Sequence, residues 1–591
     1  MEPTPAVVKA VDNPVKALGA AEGPADLAPQ PASDTVLRAK YLAPGETRRD
    51  ELIARVAAAL AQAEAPAQRE PWALAFAQAM RAGFIPAGRV LAAAGRAGAT
   101  TGQAGRTWVN CFVQPLGGPR DLTAGPPLEQ ALVETVATLR AGGGVGLNFS
   151  AQEDVTGALH AFDSACSTAT GTDTRPGALM GVLDATHPAF GAFVQAKSAG
   201  GLSSFNLSVA VDDGFMQRLE AGDAQSAQRW KALVHAAHTC GEPGVLFISA
   251  IQRDDVLGWR ERIVATNPCA EQPLPPYGSC CLGSVDLTRC VHRPFERDAT
   301  FDHAQLARLA AVAVRALDNV LTLTPWPLPA QREEALATRR IGLGFTGLAS
   351  ALALLGLRYD QPEGRAATAA MARTLRDAAV AASVALARER GPYPLFDAVR
   401  HLATPGFASR LPDTLRQAIA RDGLRHSHLL SVAPAGSISL AMADGASSGI
   451  EPVWAWRTRR PVRTQSGTTL VITVEDAAWR RWQAWRRRRG DTGDATLPAA
   501  FVTAAEIRAE DQLAMVAAVA PYVDASISKT VHLAESATVA EVDTLLRAAW
   551  RRGVKGLTVY RPNAVIRTLL KAAPLSGAAC RRGSTIPPAP R

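Results

Sequence analysis

The densest set of reactive groups in the chain lies between Asn267 and Ser284, in the segment NPCAEQPLPPYGSCCLGS. Its prolines and glycines exclude a helix or a central strand, so the segment is a loop. Its apolar and aromatic content marks that loop for burial, which is unusual for a loop and points to function. Asn267, Cys269 and Glu271 alternate, so in an extended chain the amide, the thiol and the carboxyl project to one side. A thiol flanked in this way has the parts for redox or radical work with acid–base assistance. Cys280 and Cys281 end the segment, and Cys111 stands alone upstream. A buried structural role is the simpler account of any one of these residues, but it is a poor account of the whole segment.

These groups need elements to position them, and the chain changes texture along its length. Residues 1–34 are rich in Ala and Pro without a period and read as a flexible tail. Over 35–106 apolar residues recur at helical spacing (Leu52, Ile53, Val56, Leu60), which predicts a small helical region ending at Pro86 and Gly88. From 107 to 562 short apolar runs alternate with longer helical patterns, the mark of an α/β architecture. Within it, 457–504 turns to Arg, Trp and Gly; Arg480, Arg481, Trp482, Trp485 and Arg486 interleave base-stacking and cationic groups. A solvated surface insertion is the plainer reading of that stretch, with single-strand nucleic-acid binding as the alternative. Residues 563–591 read as a second flexible tail.

Composition sets bounds. The chain of 591 residues has 47% hydrophobic and 20% charged residues, ordinary for a globular protein, and no apolar run long enough to span a membrane. With no signal-peptide pattern at its start, the expected location is cytoplasmic. The net charge of +9 suits an anionic ligand, but it rests on Arg in an Ala-rich chain and carries little weight. Eight cysteines without a CxxC pair argue against a disulfide scaffold and against a metal site. Gly342, Gly344 and Gly347 spell the dinucleotide fingerprint without its context. Gly142, Gly143, Gly144 and Gly146 lack the Lys and Ser/Thr of a P-loop and read as a tight backbone passage.

The Asn267–Ser284 segment resembles the finger loop of class II ribonucleotide reductases, usually written NPCGEQPLPPYGACNLGS. The likeness continues through NCFV at 110–113, GGGVGLNFS at 142–150, FNLSVAVDDGFM at 205–216 and RRIGLGFTGLA at 339–349. It runs on through APAGSISL at 433–440, SSGIEPVWA at 447–455 and KGLTVYR at 555–561, in the family's order. The resemblance implies a ten-stranded α/β barrel with the finger loop through its centre. It implies that Cys269 holds a thiyl radical, Glu271 takes the 3′-hydroxyl proton, Asn267 orients substrate, and Cys111 and Cys280 are the reducing pair. It assigns the substrate phosphates to Pro434, Ala435, Gly436, Ser437, Ile438 and Ser439. A class I enzyme would carry adjacent tyrosines where Thr558 and Val559 stand, and no glycyl-radical motif of class III is present. Adenosylcobalamin is then the implied radical source, with no radical-generating subunit, a ribonucleotide as substrate and an external thioredoxin-like thiol as reductant.

The chain departs from the family in particular places. Between Phe149 and Phe162 it is about a dozen residues short of the usual effector loop, which puts deoxynucleotide control and the homodimer in question. The specificity loop GTDTRPGALMGV keeps Arg175 but has Pro176. The C-terminal tail has Cys580 alone where the family carries a cysteine pair, and Cys281 replaces an Asn. Cys166, Cys240 and Cys290 read as packing residues. No ATP-cone domain is expected in the short leader. A divergent homologue of impaired turnover or regulation is the alternative within the same fold, and the intact reactive residues favour an active enzyme.

Overall fold

The computed structural model describes residues 27–96, 105–170, 177–198, 200–463, 469–491, 496–562 and 571–572. Helices come first: α1 (Pro31–Lys40), α2 (Arg49–Leu60) and α3 (Arg69–Ala82). Leu52, Ile53, Val56 and Leu60 are buried on α2, as their spacing predicts. The helical region begins inside the stretch read as tail. Pro31 opens α1, Asp34 sits in its first turn and Arg38 and Lys40 in its last, so proline and charge both favour the helix. Gln30 fastens it to the Asp444 and Glu475 carbonyls, at 2.8 Å each.

Five strands then pair in parallel: β2 (Cys111–Val113), β3 (Gly144–Asn148), β4 (Leu179–Asp184), β5 (Phe205–Val211) and β6 (Gly244–Phe247). Helices such as α4 (Leu128–Arg140) and α5 (Val155–Thr170) supply the crossovers that parallel pairing requires. At one side β2 meets β9 (Ser279–Cys280) antiparallel; at the other, β6 meets β15 (Gly556–Tyr560) antiparallel, and β15 pairs in parallel with β14 (Thr530–His532). A second sheet joins β1 (Phe84–Pro86), β10 (Leu282–Asp286) and β11 (Gly342–Thr346).

Regular ladders thus give an eight-stranded and a three-stranded sheet rather than one continuous ten-stranded barrel. Residues 429–432 and 525–528 lie between β11 and β14, where isolated bridges join Leu343 to Leu430 and Val432 to Ile527. The cause is local. The Asp524 carboxylate accepts the N–H groups of Leu429 and Leu430, both at 2.7 Å, and takes donors a ladder would use.

The helix α6 (His303–Leu323) packs against α7 (Pro362–Arg390) and is buried along most of its length. Charges on it are paired. Asp318 takes Arg339, Arg390 and Arg425, and Arg315 takes Glu64 from the N-terminal region at 2.6 Å. The 457–504 stretch is only partly solvated. It forms a hairpin of β12 (Arg457–Arg463) and β13 (Thr469–Glu475), followed by α9 (Ala477–Arg488). Trp479 and Trp482 are 6% and 4% exposed, and Trp482 packs on Phe501. Arg489 lies over Trp485 and binds Glu296. Rings committed to packing are not available to stack on bases, so the nucleic-acid reading loses its basis. Lys571 and Ala572, in the stretch read as tail, pair with β12. Among the described residues no helix is long and apolar enough to cross a membrane.

Candidate active site

The Asn267–Ser279 loop enters between the sheets as a hairpin whose arms are β7 (Ala265–Thr266) and β8 (Pro273–Leu274). Its tip is a turn, not the extended segment that alternation suggested. The Asn267 N–H donates to the Gln272 carbonyl at 3.0 Å, and the Gln272 N–H donates to the Asn267 side-chain oxygen at 2.9 Å. Ala270 takes a left-handed φ of 63° to complete it. The tip is fastened from two sides: Asn206 donates to the Pro268 carbonyl at 2.8 Å, and the Ser526 N–H donates to the Glu271 carbonyl at 2.9 Å.

Glycines make room for it. A Cβ on Gly146 would stand 1.8 Å from the Thr266 carbonyl oxygen, and one on Gly342 would stand 2.2 Å from the Gln272 amide nitrogen. A Cβ on Gly144 would press on the Pro268 ring at 3.0 Å. The run read as a tight passage is one, and the false fingerprint at Gly342 is part of the same passage.

The tip brings the predicted groups together. Asn267 and Glu271 are buried, at 0% and 2% exposure. Burial pushes the Glu271 carboxyl up to about 7, against the opposing pull of Asn267. Cys269 is open to the cavity at the tip while protein encloses it on its other sides. That enclosure, with Glu271 and Cys111 close by, pushes its thiol well above the ordinary value. Such a cysteine is an S–H group rather than a nucleophilic thiolate, which suits hydrogen-atom transfer.

Cys111 on β2 stands directly opposite Cys280 on β9 in an antiparallel pair. Opposite residues there have Cα atoms about 4.5–5.5 Å apart, inside the roughly 4.4–6.8 Å that a disulfide spans. Both thiols are free, and burial beside Cys111 raises the Cys280 thiol well above its usual range. The two thiols therefore sit within electrostatic reach of Cys269 and Glu271.

A cleft of about 780 Å³, counting the solvent at its mouth, opens on Cys269, with Asn206, Ser208, Glu242, Lys529 and Thr558 among its walls. Pro434 also reaches this cavity. Ala435 adopts a left-handed φ of 55° and opens the short helix α8 (Gly436–Met442). Ser437 is half-buried, whereas Ile438 and Ser439 are more enclosed. Both are buried, and the Ser439 hydroxyl is held by Thr346 at 2.5 Å. Cys166, Cys281 and Cys290 are buried and Cys240 is half-buried. Arg175, Pro176 and Cys580 lie outside the described residues.

The residue-type reading of the loop missed Asn206, Ser526 and Arg340, whose contacts fix the hairpin. Arg340 donates to the Pro273 carbonyl at 3.3 Å. Asn206 and Arg340 fall within FNLSVAVDDGFM and RRIGLGFTGLA, so the motif segments carried a signal without naming the partner.

The profile described as "Ribonucleotide reductase, barrel domain" matches residues 109–229 and 224–560, and "Ribonucleotide reductase, all-alpha domain" matches 28–99. A vitamin B12-dependent ribonucleoside-diphosphate reductase of Mycobacterium tuberculosis (strain CDC 1551 / Oshkosh) is 36% identical, over 90% of this chain and 79% of the relative. Its counterpart from strain ATCC 25618 / H37Rv is also 36% identical, over 90% and 77%. One from Thermoplasma acidophilum is 28% identical, over 76% of this chain and 61% of the relative. The two matches cover the N-terminal helices and both sheets, including the hairpin with its thiols, and the chain therefore belongs to the ribonucleotide reductase family.

Proposed function

We propose that this chain reduces ribonucleoside diphosphates to 2′-deoxyribonucleotides, with adenosylcobalamin as radical source and Cys111 and Cys280 as the immediate reductant. The observation that carries the reading is the meeting of Cys269, which lines the cavity, with Glu271 and the opposed Cys111–Cys280 pair. The relatives named as B12-dependent diphosphate reductases favour this cofactor and this substrate. Two parallel sets, β2–β6 and the run β10, β11, 429–432, 525–528, β14 and β15, abut antiparallel at β6–β15 and, through β9, at β2, which supports a ten-stranded barrel around the hairpin.

The lining of the cavity is chemically suited to the polar edge of a cofactor: Asn206, Ser208, Glu242, Ser528, Thr530 and Thr558 offer the polar atoms that would hold it. When bound, adenosylcobalamin supplies one radical equivalent by homolysis of its cobalt–carbon bond. The remaining chemistry belongs to the chain's side chains. Cys269, as a thiyl, takes the 3′ hydrogen of the ribose. Glu271 accepts the 3′-hydroxyl proton while Asn267 orients the sugar by hydrogen bonding. The dithiol protonates the departing 2′-hydroxyl, which leaves as water, then gives a hydrogen atom to C2′ and an electron to the 3′ carbon, whose oxygen takes back the proton held by Glu271, as Cys111 and Cys280 close to a disulfide. Cys269 then returns the hydrogen atom to C3′. The backbone N–H groups at Gly436 and Ser437, with the Ser437 hydroxyl, seat the phosphates; Ser439 steadies that turn through Thr346.

Each turnover leaves the pair oxidised, so a thioredoxin-like dithiol from outside must reopen it. The reaction belongs in the cytoplasm, and a homodimer through α4 and α5 fits Val133, which is 70% exposed on α4. The test is anaerobic turnover of CDP with adenosylcobalamin and dithiothreitol. The parent chain forms dCDP; folded Cys269→Ala forms none, and product from the pure variant overturns the assignment.

A further inference from the structure

The hairpin that carries Cys269 has arms of two residues each, and one arm begins with a proline that cannot donate to a ladder. A hairpin of that length does not hold itself, since even longer isolated pairs are marginal in water. Asn206 and Ser526 fix its tip, and its base is held elsewhere. Arg340, 3% exposed, stands just before β11. One guanidinium nitrogen donates to the Pro273 carbonyl of the outgoing arm at 3.3 Å. The other donates to Glu261 at 2.5 Å, and Glu261 precedes the incoming arm by four residues. A single planar group thus clamps both arms. Two residues on, the Gly342 N–H donates at 2.9 Å to the carbonyl of Cys281, the neighbour of Cys280. One strand therefore holds both the base of the Cys269 hairpin and the strand of the reducing pair.

Net stability is a weak reason to keep this pair. Both side chains of the Arg340–Glu261 pair are 3% exposed, and apolar residues often replace such pairs without loss. Geometry is a better reason, because lysine lacks the fork that can span a carboxylate and a carbonyl at once. Reacting atoms must lie about 3–3.5 Å apart, and a displacement of about 1 Å can cost about 100-fold in rate. We propose that Arg340 is a positioning residue, whose clamp on the two arms of the hairpin keeps Cys269 in register with Cys111 and Cys280. This deepens the functional reading above and rests on it.

Arg340→Lys keeps a charge opposite Glu261 and gives up the fork. Its kcat for CDP falls about 100-fold while KM stays within about threefold, the pattern of lost alignment rather than lost binding. Amide hydrogen exchange over residues 265–274 speeds up about tenfold or more and is unchanged elsewhere, as expected of a local opening. Chemical oxidation still closes Cys111 and Cys280. Should the lysine variant not fold, Arg340→Met with Glu261→Gln removes both buried charges together and is read the same way. Parental exchange in the hairpin, faster exchange throughout the chain, or a kcat within about threefold of the parent overturns the proposal. Exchange is measured without nucleotide or cofactor. It therefore reports on the clamp even if the parent makes no deoxynucleotide, the outcome that would sink the functional reading instead.

Discussion

Burial gives Glu271 two opposite dependences on pH. Its carboxyl is raised from 4.5 to about 7, because an ionised group at 2% exposure has lost most of its water. Only the ionised form can accept the 3′-hydroxyl proton, so activity rises with pH through about 7. Folding responds the other way. The native state keeps this proton more tightly than the unfolded chain does. The stabilisation is fully present below about 4.5 and is lost as pH rises towards 7. We therefore expect an acid limb near 7 in kcat/KM across the range in which Glu271's own contribution to stability declines. Glu271→Gln should lose that limb, fall about 100- to 10,000-fold in rate, and show a flat profile through neutrality. A retained limb near 7 in this variant would assign the titration to another group. Cys269 and Cys280 need no such adjustment, since their raised values keep both as thiols throughout.

At the scale of elements, the hairpin's route depends on what its neighbours lack. Gly146→Ala would place a methyl 1.8 Å from the Thr266 carbonyl oxygen, a backbone atom that can retreat only by moving the hairpin. Overpacking of this kind costs about 1–3 kcal/mol, and the shift should reduce kcat by about 100-fold. Gly191→Ala, with open space around it, is the control and should change neither the denaturation midpoint nor kcat. The glycines were legible as a passage because only glycine tolerates such approach, but what passed through them was not. Alternation at Asn267, Cys269 and Glu271 suggests an extended run within the loop, because residue type alone does not show that the Asn267 side chain closes a turn on Gln272. The pairing of Cys111 with Cys280 came from family likeness; their 169-residue separation carries no register, which only β2 and β9 supply. Burial within the Arg/Trp stretch was hidden for a different reason. Charge ran through the sequence, while the alternate face of α9 buried Trp479 and Trp482.

Across the whole molecule, the N-terminal helices are bound to the barrel domain through buried charge, with Glu64 held by both Arg315 and Arg390 at 2.6 Å. Control of substrate choice asks for more than a joined fold. An effector changes selectivity only if it binds differently to the states that favour each substrate, and typical coupling is about 1–3 kcal/mol, or 5- to 150-fold. In this chain the segment after β3 is short: Phe149 to Asp154, then α5 from Val155. Asp154 turns its carboxylate onto the Gly157 N–H at 2.8 Å, so the first turn of α5 already holds an anion of its own. A phosphate there would meet that carboxylate and the exposed Glu153. We expect dATP, dGTP and dTTP to shift the ratio of CDP to GDP reduction by less than about threefold, below the usual range of coupling. The measurement is competition between the two substrates at saturating effector, with equilibrium binding of each deoxynucleotide alongside. Tenfold switching would mean that another surface seats the effector. Tight binding without switching would mean that the seat survives and only its link to the substrate has been lost.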